Sequence, residues 1–555
     1  MDRREIERYI LPLFCFFASC ITTVGALWEN ATDYRWGQTA NFSWHSIRLA
    51  EWAVLVLAIF CSVFLMVTSL RNRITSGSFV SPSRLASDRR WMLRLSLIIL
   101  VGNLTYLFLY YRSAYNGYYL QRHDFVNLAA ALNDFPLLRT PFVQTGPSGS
   151  FLGHHFSPIL LILSPLFRLA SLVPGINYGF YLLPLFAAPV CALFVLLILA
   201  RRELKDPILL PVVAWLAFNP LLLRLFLSFH FEAFVLPLTA LCLYKFRSRW
   251  YWVWLILLCA VKEDLGLYVF LIATGAWLGP SLELRVLEPG TKATEPTEQS
   301  WIRSRLRRTA FFALAFFLFA VLVRRSLAGT TGMSWSDYWT QDFPFAGHPL
   351  TAFLLILTAG GWIALLQPAF RYSFAGIALI HLLSNQPWHN SYETHYVYSI
   401  LPLLLVAFAH WLRSVSSVYI ESAVGKRTVA ALVLLVALAS VQDRSTPIAL
   451  FKPGPDIDFS WIPGQSCVRS SDHLAVRIPL NSRIFPLNPE PRNPMMRTGL
   501  CLPPDIEGCT EAYLLLETQD WSRLHDCVGQ FSPVRQTDRY SIYRYGQTSR
   551  TNSDH

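Results

Sequence analysis

Residues 178–200 read YGFYLLPLFAAPVCALFVLLILA, a run from Tyr178 to Ala200 with no Asp, Glu, Lys, Arg or His. A helix needs about 20 apolar residues to cross the hydrocarbon core of a bilayer, and this run meets that requirement. Arg201, Arg202 and Lys205 follow it, the cationic flank that marks the cytoplasmic end of a span. The same pattern recurs along the chain. Of its 555 residues, 54% are hydrophobic and only 15% charged, whereas soluble domains carry roughly a quarter charged residues. A cytosolic enzyme, a disordered chain and a disulfide-framed secreted miniprotein are therefore excluded. The fold expected is an all-α polytopic membrane protein.

The further apolar segments are Tyr9–Trp28, Glu51–Leu70, Trp91–Tyr111, Pro207–Leu227, Phe231–Phe246, Trp250–Val261, Leu265–Leu278, Thr309–Val323, Pro349–Phe370, Tyr372–Asn385, Tyr398–Leu412 and Arg427–Gln442. Together with the first run they predict about 13 spans, several of them short. The basic loops Arg71–Arg90 and Gly279–Arg308, the group Lys245, Arg247 and Arg249, and the group Arg413, Lys426 and Arg427 can all be cytoplasmic together. That requires Ser157–Leu172, which contains Pro158 and Pro165, to be a juxtamembrane or re-entrant helix instead of a span. The N-terminus is then cytoplasmic and the C-terminal part is not. The 14% aromatic content suits rings at membrane–water interfaces.

Three regions follow. Residues 1–90 are an N-terminal pair of spans with a cytoplasmic loop, 91–442 the main transmembrane body with its outer loops, and 443–555 a small soluble α/β domain. From Asp443 onward there are 12 Lys+Arg against 13 Asp+Glu, so the net charge of +12 sits in the loops as a topology signal. Nucleic acid is not an expected partner. In the tail, Ala512–Glu517 has the apolar run of a buried strand and Tyr540–Tyr545 the alternation of a half-buried one. Cys15, Cys20, Cys61, Cys191, Cys242 and Cys259 lie in apolar segments and read as small core residues. Cys467, Cys501, Cys509 and Cys527 lie in the tail and allow three pairings, which an oxidising compartment would permit.

This topology gathers ionisable residues on the non-cytoplasmic side, in Arg112–Phe156, Ser228–His230, Lys262–Asp264, Arg324–His348 and Gln386–Val397. Such residues beside membrane spans are costly and point to function. Asp124 stands where a helix begins, so it reads either as an N-cap or as a general base orienting an acceptor. In Gly153-His154-His155-Phe156-Ser157-Pro158 the adjacent imidazoles are expected to point apart on a helix, which argues against an i, i+4 metal pair. A phosphate contact and a solvated helix start both remain open for them. Glu232 and Glu263 abut long apolar segments, and Lys262 can meet a phosphate as a point charge. His389, Glu393 and His395 lie among Trp388, Tyr392 and Tyr396, aromatics suited to stacking on a sugar ring or to an interfacial belt. No Walker, dinucleotide, nucleophile-elbow or H-E-x-x-H motif occurs.

The ordered set Asp124, Gly153-x-His155-Phe156-Ser157-Pro158, Phe229-His230-x-Glu232, Lys262-Glu263-Asp264 and the Tyr392–Tyr396 loop resembles a bacterial membrane family known as domain of unknown function 2079. That family is similar in layout to the C-type (GT-C) glycosyltransferases, helical-bundle membrane enzymes that use polyprenyl-phosphate sugars. The resemblance implies a sugar transferase of the cell envelope. Asp124 would be the acidic residue of the first outer loop that activates the acceptor or supports catalysis, and His155, His230, Glu232, Lys262, Glu263 and His395 would line the substrate cavity. It also implies a lipid-linked sugar donor and membrane lipids as partners. His154, Ser228, Phe231 and Ala129 depart from the family pattern, and the reduced number of carboxylates weakens any case for a divalent metal. No cofactor is expected. Competing readings are a transporter or flippase, which usually places ionisable residues near the midplane of repeated halves, and a non-enzymatic envelope scaffold with the tail as its binding module.

Overall fold

The structure is a computed structural model that describes residues 100–116, 120, 125–140, 148–203, 219–279, 296–329, 356–384, 389, 394–414, 458–470, 472–486, 511–517, 531–537 and 540–545. The expected spans Tyr9–Trp28, Glu51–Leu70 and Arg427–Gln442 lie outside these residues. In chain order the helices after residue 116 are α1 (Phe125–Asn133), α2 (Ile159–Ala170), α3 (Leu182–Glu203), α4 (Pro220–Leu227), α5 (Val235–Tyr244), α6 (Tyr251–Cys259), α7 (Leu265–Leu278), α8 (Pro296–Ala328), α9 (Trp362–Leu366), α10 (Arg371–Leu382) and α11 (Leu401–Ser414). One-turn helices at Phe151–His154 and Asp472–Ala475 and 3-10 segments at Tyr178–Tyr181, Phe231–Phe234 and Thr394–Ser399 accompany them. Two helices among the described residues, Tyr178–Leu196 and Gln299–Ala328, are long and apolar enough to cross a membrane. The described residues gather into two compact units, whose boundary falls inside α3 and again inside α8.

One unit contains α4 to α7, α9 to α11 and the first part of α8. Its helices begin where the sequence supplies caps. At α4, the Asn219 side chain accepts from the Leu221 and Leu222 amides, and Pro220 occupies the first turn, where its missing N–H costs nothing. The amide of Asn219 also donates to the Ala359 carbonyl at 2.8 Å, tying α4 to the segment before α9. Close approach sets the position of α7. A Cβ on Gly266 would lie 2.7 Å from the Ala313 carbonyl oxygen of α8, and one on Gly275 would lie 2.7 Å from the Ala369 carbonyl oxygen and meet the Ser373 hydroxyl. Gly275→Ala is therefore expected to force α7 and α10 apart at a cost of roughly 1–3 kcal/mol. A melt of the detergent-solubilised protein checks this, and an unchanged midpoint would contradict it.

Polar residues in this unit divide by helix end. Lys245, Arg247 and Arg249 lie in the turn between α5 and α6, and Lys262, Glu263 and Asp264 lie at the other end of α6. At the basic end Arg305 is buried, with its guanidinium 4.7 to 5.7 Å from the rings of Phe246, Tyr251, Trp252 and Trp301. It donates to the Ser248 carbonyl. Cation–π contacts of this kind partly offset the loss of hydration.

The other unit joins two distant stretches of chain, residues 109–185 and the tail. The tail forms a five-stranded sheet in the order β2-β1-β3-β5-β4, with β1 Cys467–Ser470, β2 Arg483–Pro486, β3 Ala512–Glu517, β4 Phe531–Gln536 and β5 Tyr540–Tyr545. β1 runs parallel to both β2 and β3, in register Cys467 to Arg483 and to Ala512. β5 is antiparallel to β3 and β4. The two expected strands are both present. Ala512–Glu517 is the central β3, with Leu514, Leu515 and Leu516 buried, and Tyr540–Tyr545 is β5. Cys467 is buried and disulfide-bonded, while the other tail cysteines lie outside the described residues.

α2 belongs to this unit. It has 12 residues, about 18 Å at 1.5 Å per residue, too short for a core of about 30 Å. Its buried face carries Leu160, Ser164 and Phe167, and the Ser164 hydroxyl donates to the Leu132 carbonyl of α1. Its other face exposes Ile162, Leu166 and Leu169. Tyr178 then meets the tail. Its hydroxyl donates to the Ser482 carbonyl at 2.6 Å and its amide to the Ile478 carbonyl at 3.0 Å. Asn133 donates to the Leu480 carbonyl at 2.8 Å. Arg477 stacks 4.0 Å from the Tyr115 ring centroid and donates to the Tyr115 carbonyl.

Candidate functional site

Three segments of the first unit converge at the acidic end: the turn 228–232 between α4 and α5, the turn 262–264 between α6 and α7, and Thr394–Ser399 leading into α11. Phe229 carries a φ of +55° and is buried. A bulky residue in the left-handed region is strained, and this conformation directly precedes His230 and Glu232. Lys262, Glu263, Glu232 and His230 are 3%, 4%, 1% and 7% exposed, so their charges must be balanced locally. Lys262 Nζ donates to Glu232 Oε1 at 3.0 Å, and His230 Nδ1 lies 3.4 Å from Glu232 Oε2. The ammonium also sits 5.2 Å from the Tyr396 ring centroid and 4.9 Å from that of Tyr398. These rings give it a second set of attractive partners.

Tyr398 links this group to Asp264. The hydroxyls of Tyr398 and Tyr268 both donate to Asp264 Oδ2, at 2.5 and 3.2 Å. Asp264 precedes α7 but makes no side-chain capping hydrogen bond to it. Its Oδ1 is buried with no hydrogen-bond partner among the described residues. Burial pushes the Asp264 carboxyl up to about 6, aided by Glu263 and opposed by Lys262 and the two phenol hydrogen bonds. Since the folded value lies above the unfolded one, this group stabilises the fold progressively as pH falls from about 6 towards 4, and that contribution fades above 6. Beyond Tyr268, its hydroxyl oxygen lies 3.2 Å from His381 Nε2, and His381 Nδ1 donates to the His389 carbonyl at 3.1 Å. The His389 ring lies tilted 4.3 Å from that of Tyr396, and its Nδ1 lies 3.2 Å from the Ser384 hydroxyl.

Of the residues singled out from sequence, the structure brings together His230, Glu232, Lys262 and Glu263. His155 belongs to the other unit. Its ring lies 4.1 Å from that of His154, and both rings lie 5.9 Å from Phe151. The expectation that the two imidazoles point apart is therefore corrected. The helix stops at His154, and His155 is already extended at φ −131°, which turns its ring back onto its neighbour. Asp124 and the side chain of His395 lie outside the described residues, although α1 does open at the next residue, Phe125. Asp264, Tyr268, His381 and Tyr398 were missing from the list drawn from sequence. A signal was present, because Tyr268 stands one helical turn after Asp264 and His381 is an ionisable side chain inside an apolar helix. Among the described residues no group of three or more His, Cys, Asp and Glu converges as a metal-ligand set.

Comparisons with known proteins add the following. One solved structure that resembles the chain is the crystal structure of ArnT from Cupriavidus metallidurans bound to undecaprenyl phosphate. It is 12% identical with a TM-score of 0.43, over 84% of this chain and 99% of that chain. No curated protein matches. A family profile described as Predicted membrane protein (DUF2079) matches residues 139–488, a stretch that contains the whole cluster just described and begins after Asp124. Covering well over half of its length, that match makes this chain a member of the predicted membrane protein family DUF2079.

Proposed function

We propose that the protein is a membrane glycosyltransferase of the GT-C kind, which moves a sugar from a polyprenyl-phosphate donor to a hydroxyl acceptor on the non-cytoplasmic face of a bacterial inner membrane. The observation that carries this reading is the buried Lys262, held by Glu232 and two aromatic rings at one end of an apolar helical body. A polyprenyl-phosphate donor has the same division, a long apolar chain ending in an anion. When the sugar leaves, negative charge grows on the phosphate oxygen, and a preorganised cation in a water-poor site stabilises it. His230 adds a second donor nearby. Asp124, by the family resemblance, activates the acceptor from the first outer loop, with His155, Glu263 and His395 as further substrate contacts. The disulfide at Cys467 supports a non-cytoplasmic tail, and with it a cytoplasmic N-terminus across about 13 spans.

The test uses the full chain reconstituted in proteoliposomes with radiolabelled polyprenyl-phosphate hexoses and pentoses and an envelope extract as acceptor. Label should move covalently to the extract, and Asp124→Asn should abolish that transfer, by at least about 100-fold as expected for a lost general base, while expression and melting stay as in the wild type. Transfer that persists in Asp124→Asn would remove Asp124 from the mechanism. Uptake of label without any covalent product would replace the enzyme by a transporter.

A further inference from the structure

The helix α2 is apolar on the side it buries and apolar again on the side it exposes. Ile162, Leu166, Leu169 and Val173 recur at spacings of four, three and four, which draws one stripe along a helix. Each of them, and Leu172 beside them, is more than half exposed. A surface helix in water turns polar and charged residues outward. Here the one charged residue between Ile159 and Leu185 is Arg168, exposed at the edge of the stripe. Large apolar side chains gathered in this way mark a surface that something apolar covers.

What α2 packs against identifies that cover. Phe167, from its buried side, lies with its ring centroid 5.2 Å from that of Phe180 and 6.0 Å from that of Tyr181. Both partners belong to the first turn of the apolar helix Tyr178–Leu196, which is long enough to cross a membrane. The connection between the two helices is compact, since the amides of Ser171, Leu172 and Val173 bond back to the carbonyls of Phe167, Leu169 and Ala170. α2 is therefore held where the chain enters the bilayer. Two features set its depth. Pro165 lies inside the helix and removes the donor that would satisfy the Leu161 carbonyl, a loss that the hydrated interface makes good and the hydrocarbon core does not. Arg168 can lay its stem along the apolar stripe and keep its guanidinium at the level of the phosphates. We propose that α2 is an in-plane membrane anchor, whose face of Ile162, Leu166, Leu169 and Val173 is sunk into the leaflet where Tyr178–Leu196 begins. Helices of this kind bury their apolar face about 5–10 Å below the headgroups. The anchor acts on more than itself. Ser164 bonds to the Leu132 carbonyl, and Asn133 and Tyr178 bond to the Leu480 and Ser482 carbonyls, so α1 and the tail are fastened to the lipid surface through α2. This holds whichever chemistry the Lys262 group performs.

The experiment takes the full chain in nanodiscs of phosphatidylethanolamine and phosphatidylglycerol, with a photoreactive diazirine amino acid placed in turn at Ile162, Leu166 and Leu169, and at Arg535 on the exposed strand β4. After irradiation, mass spectrometry of the labelled peptides reads what each position touches. Adducts with phospholipid acyl chains are expected at the three α2 positions, and water addition alone at Arg535. Water addition alone at the α2 positions, or cross-links from them to another segment of this chain or to a second copy, would overturn the anchor. A second arm combines the label at Ile162 with Leu166→Glu and Leu169→Glu. Charge at this depth is costly, so the lipid adducts should fall several-fold while the tail keeps its resistance to protease. Lipid adducts that persist undiminished in that variant would show that the stripe does not hold the helix in the leaflet, and the anchor would fall.

Discussion

Lys262→Met should cost the folded protein about 3–5 kcal/mol, the usual penalty for removing one member of a buried ion pair. The ammonium is 3% exposed and its partner Glu232 1%. Deleting the cation strands the carboxylate among apolar neighbours, with the His230 imidazole 3.4 Å away. Because that penalty belongs to the orphaned partner, pairing Lys262→Met with Glu232→Gln should restore most of the stability. A neutral pair of similar volume often does as well as the ionic one. Transfer activity should not return in the double variant, since the cation opposite the leaving phosphate is still missing. Thermal melts of the four proteins in nanodiscs complete the cycle. Additive losses in the double variant would show that the two side chains do not depend on each other.

Deletion of the chain after residue 447 should unfold the segment 112–180 along with the tail it removes. That segment donates or accepts across to the tail through Tyr178, Gly179, Ile176, Asn133 and Tyr115. Its aromatic residues Phe125, Phe167 and Tyr178 are buried within the unit that the tail completes. Each lost hydrogen bond that strands a buried group costs about 1–3 kcal/mol, and several would go at once. Protease sites and rapidly exchanging amides should therefore appear between Tyr115 and Asn177 in the truncated protein, while α5 to α7 stay protected. A truncated chain whose 112–180 segment resists protease like the full one would show that the segment folds without the tail. Truncation is thus a poor way to isolate a role for the tail.

The helical body was legible because long apolar runs leave few alternatives, and the placement of basic loops, with Pro158 and Pro165, set Ser157–Leu172 apart from the spans. In the tail, β3 and β5 were legible from apolar content and alternation. β1 and β2 were not, since Cys467–Ser470 and Arg483–Pro486 have only 4 residues each. β4 hid for a different reason. It is an exposed edge strand with Pro533 and an irregular register beside it, so it carries no hydrophobic pattern to read. At the site, sequence reasoning found the residues that break apolar segments with charge, Glu232, Lys262 and Glu263. Tyr268, His381 and Tyr398 are polar tips on otherwise apolar helices or turns, and only the tertiary approach of α7, α10 and Thr394–Ser399 gives those tips one another as partners.

The bond from Tyr178 to the Ser482 carbonyl joins residues 304 positions apart. A ribosome adds about 5–20 residues per second, so Tyr178 emerges roughly 15–60 s before its acceptor exists. During that interval the nascent 109–185 stretch holds its sticky side groups without a seat while later helices are threaded into lipid. Newly made molecules should accordingly recruit a holdase or insertase at this stretch, and maturation is complete only when the last strands arrive and Cys467 is oxidised.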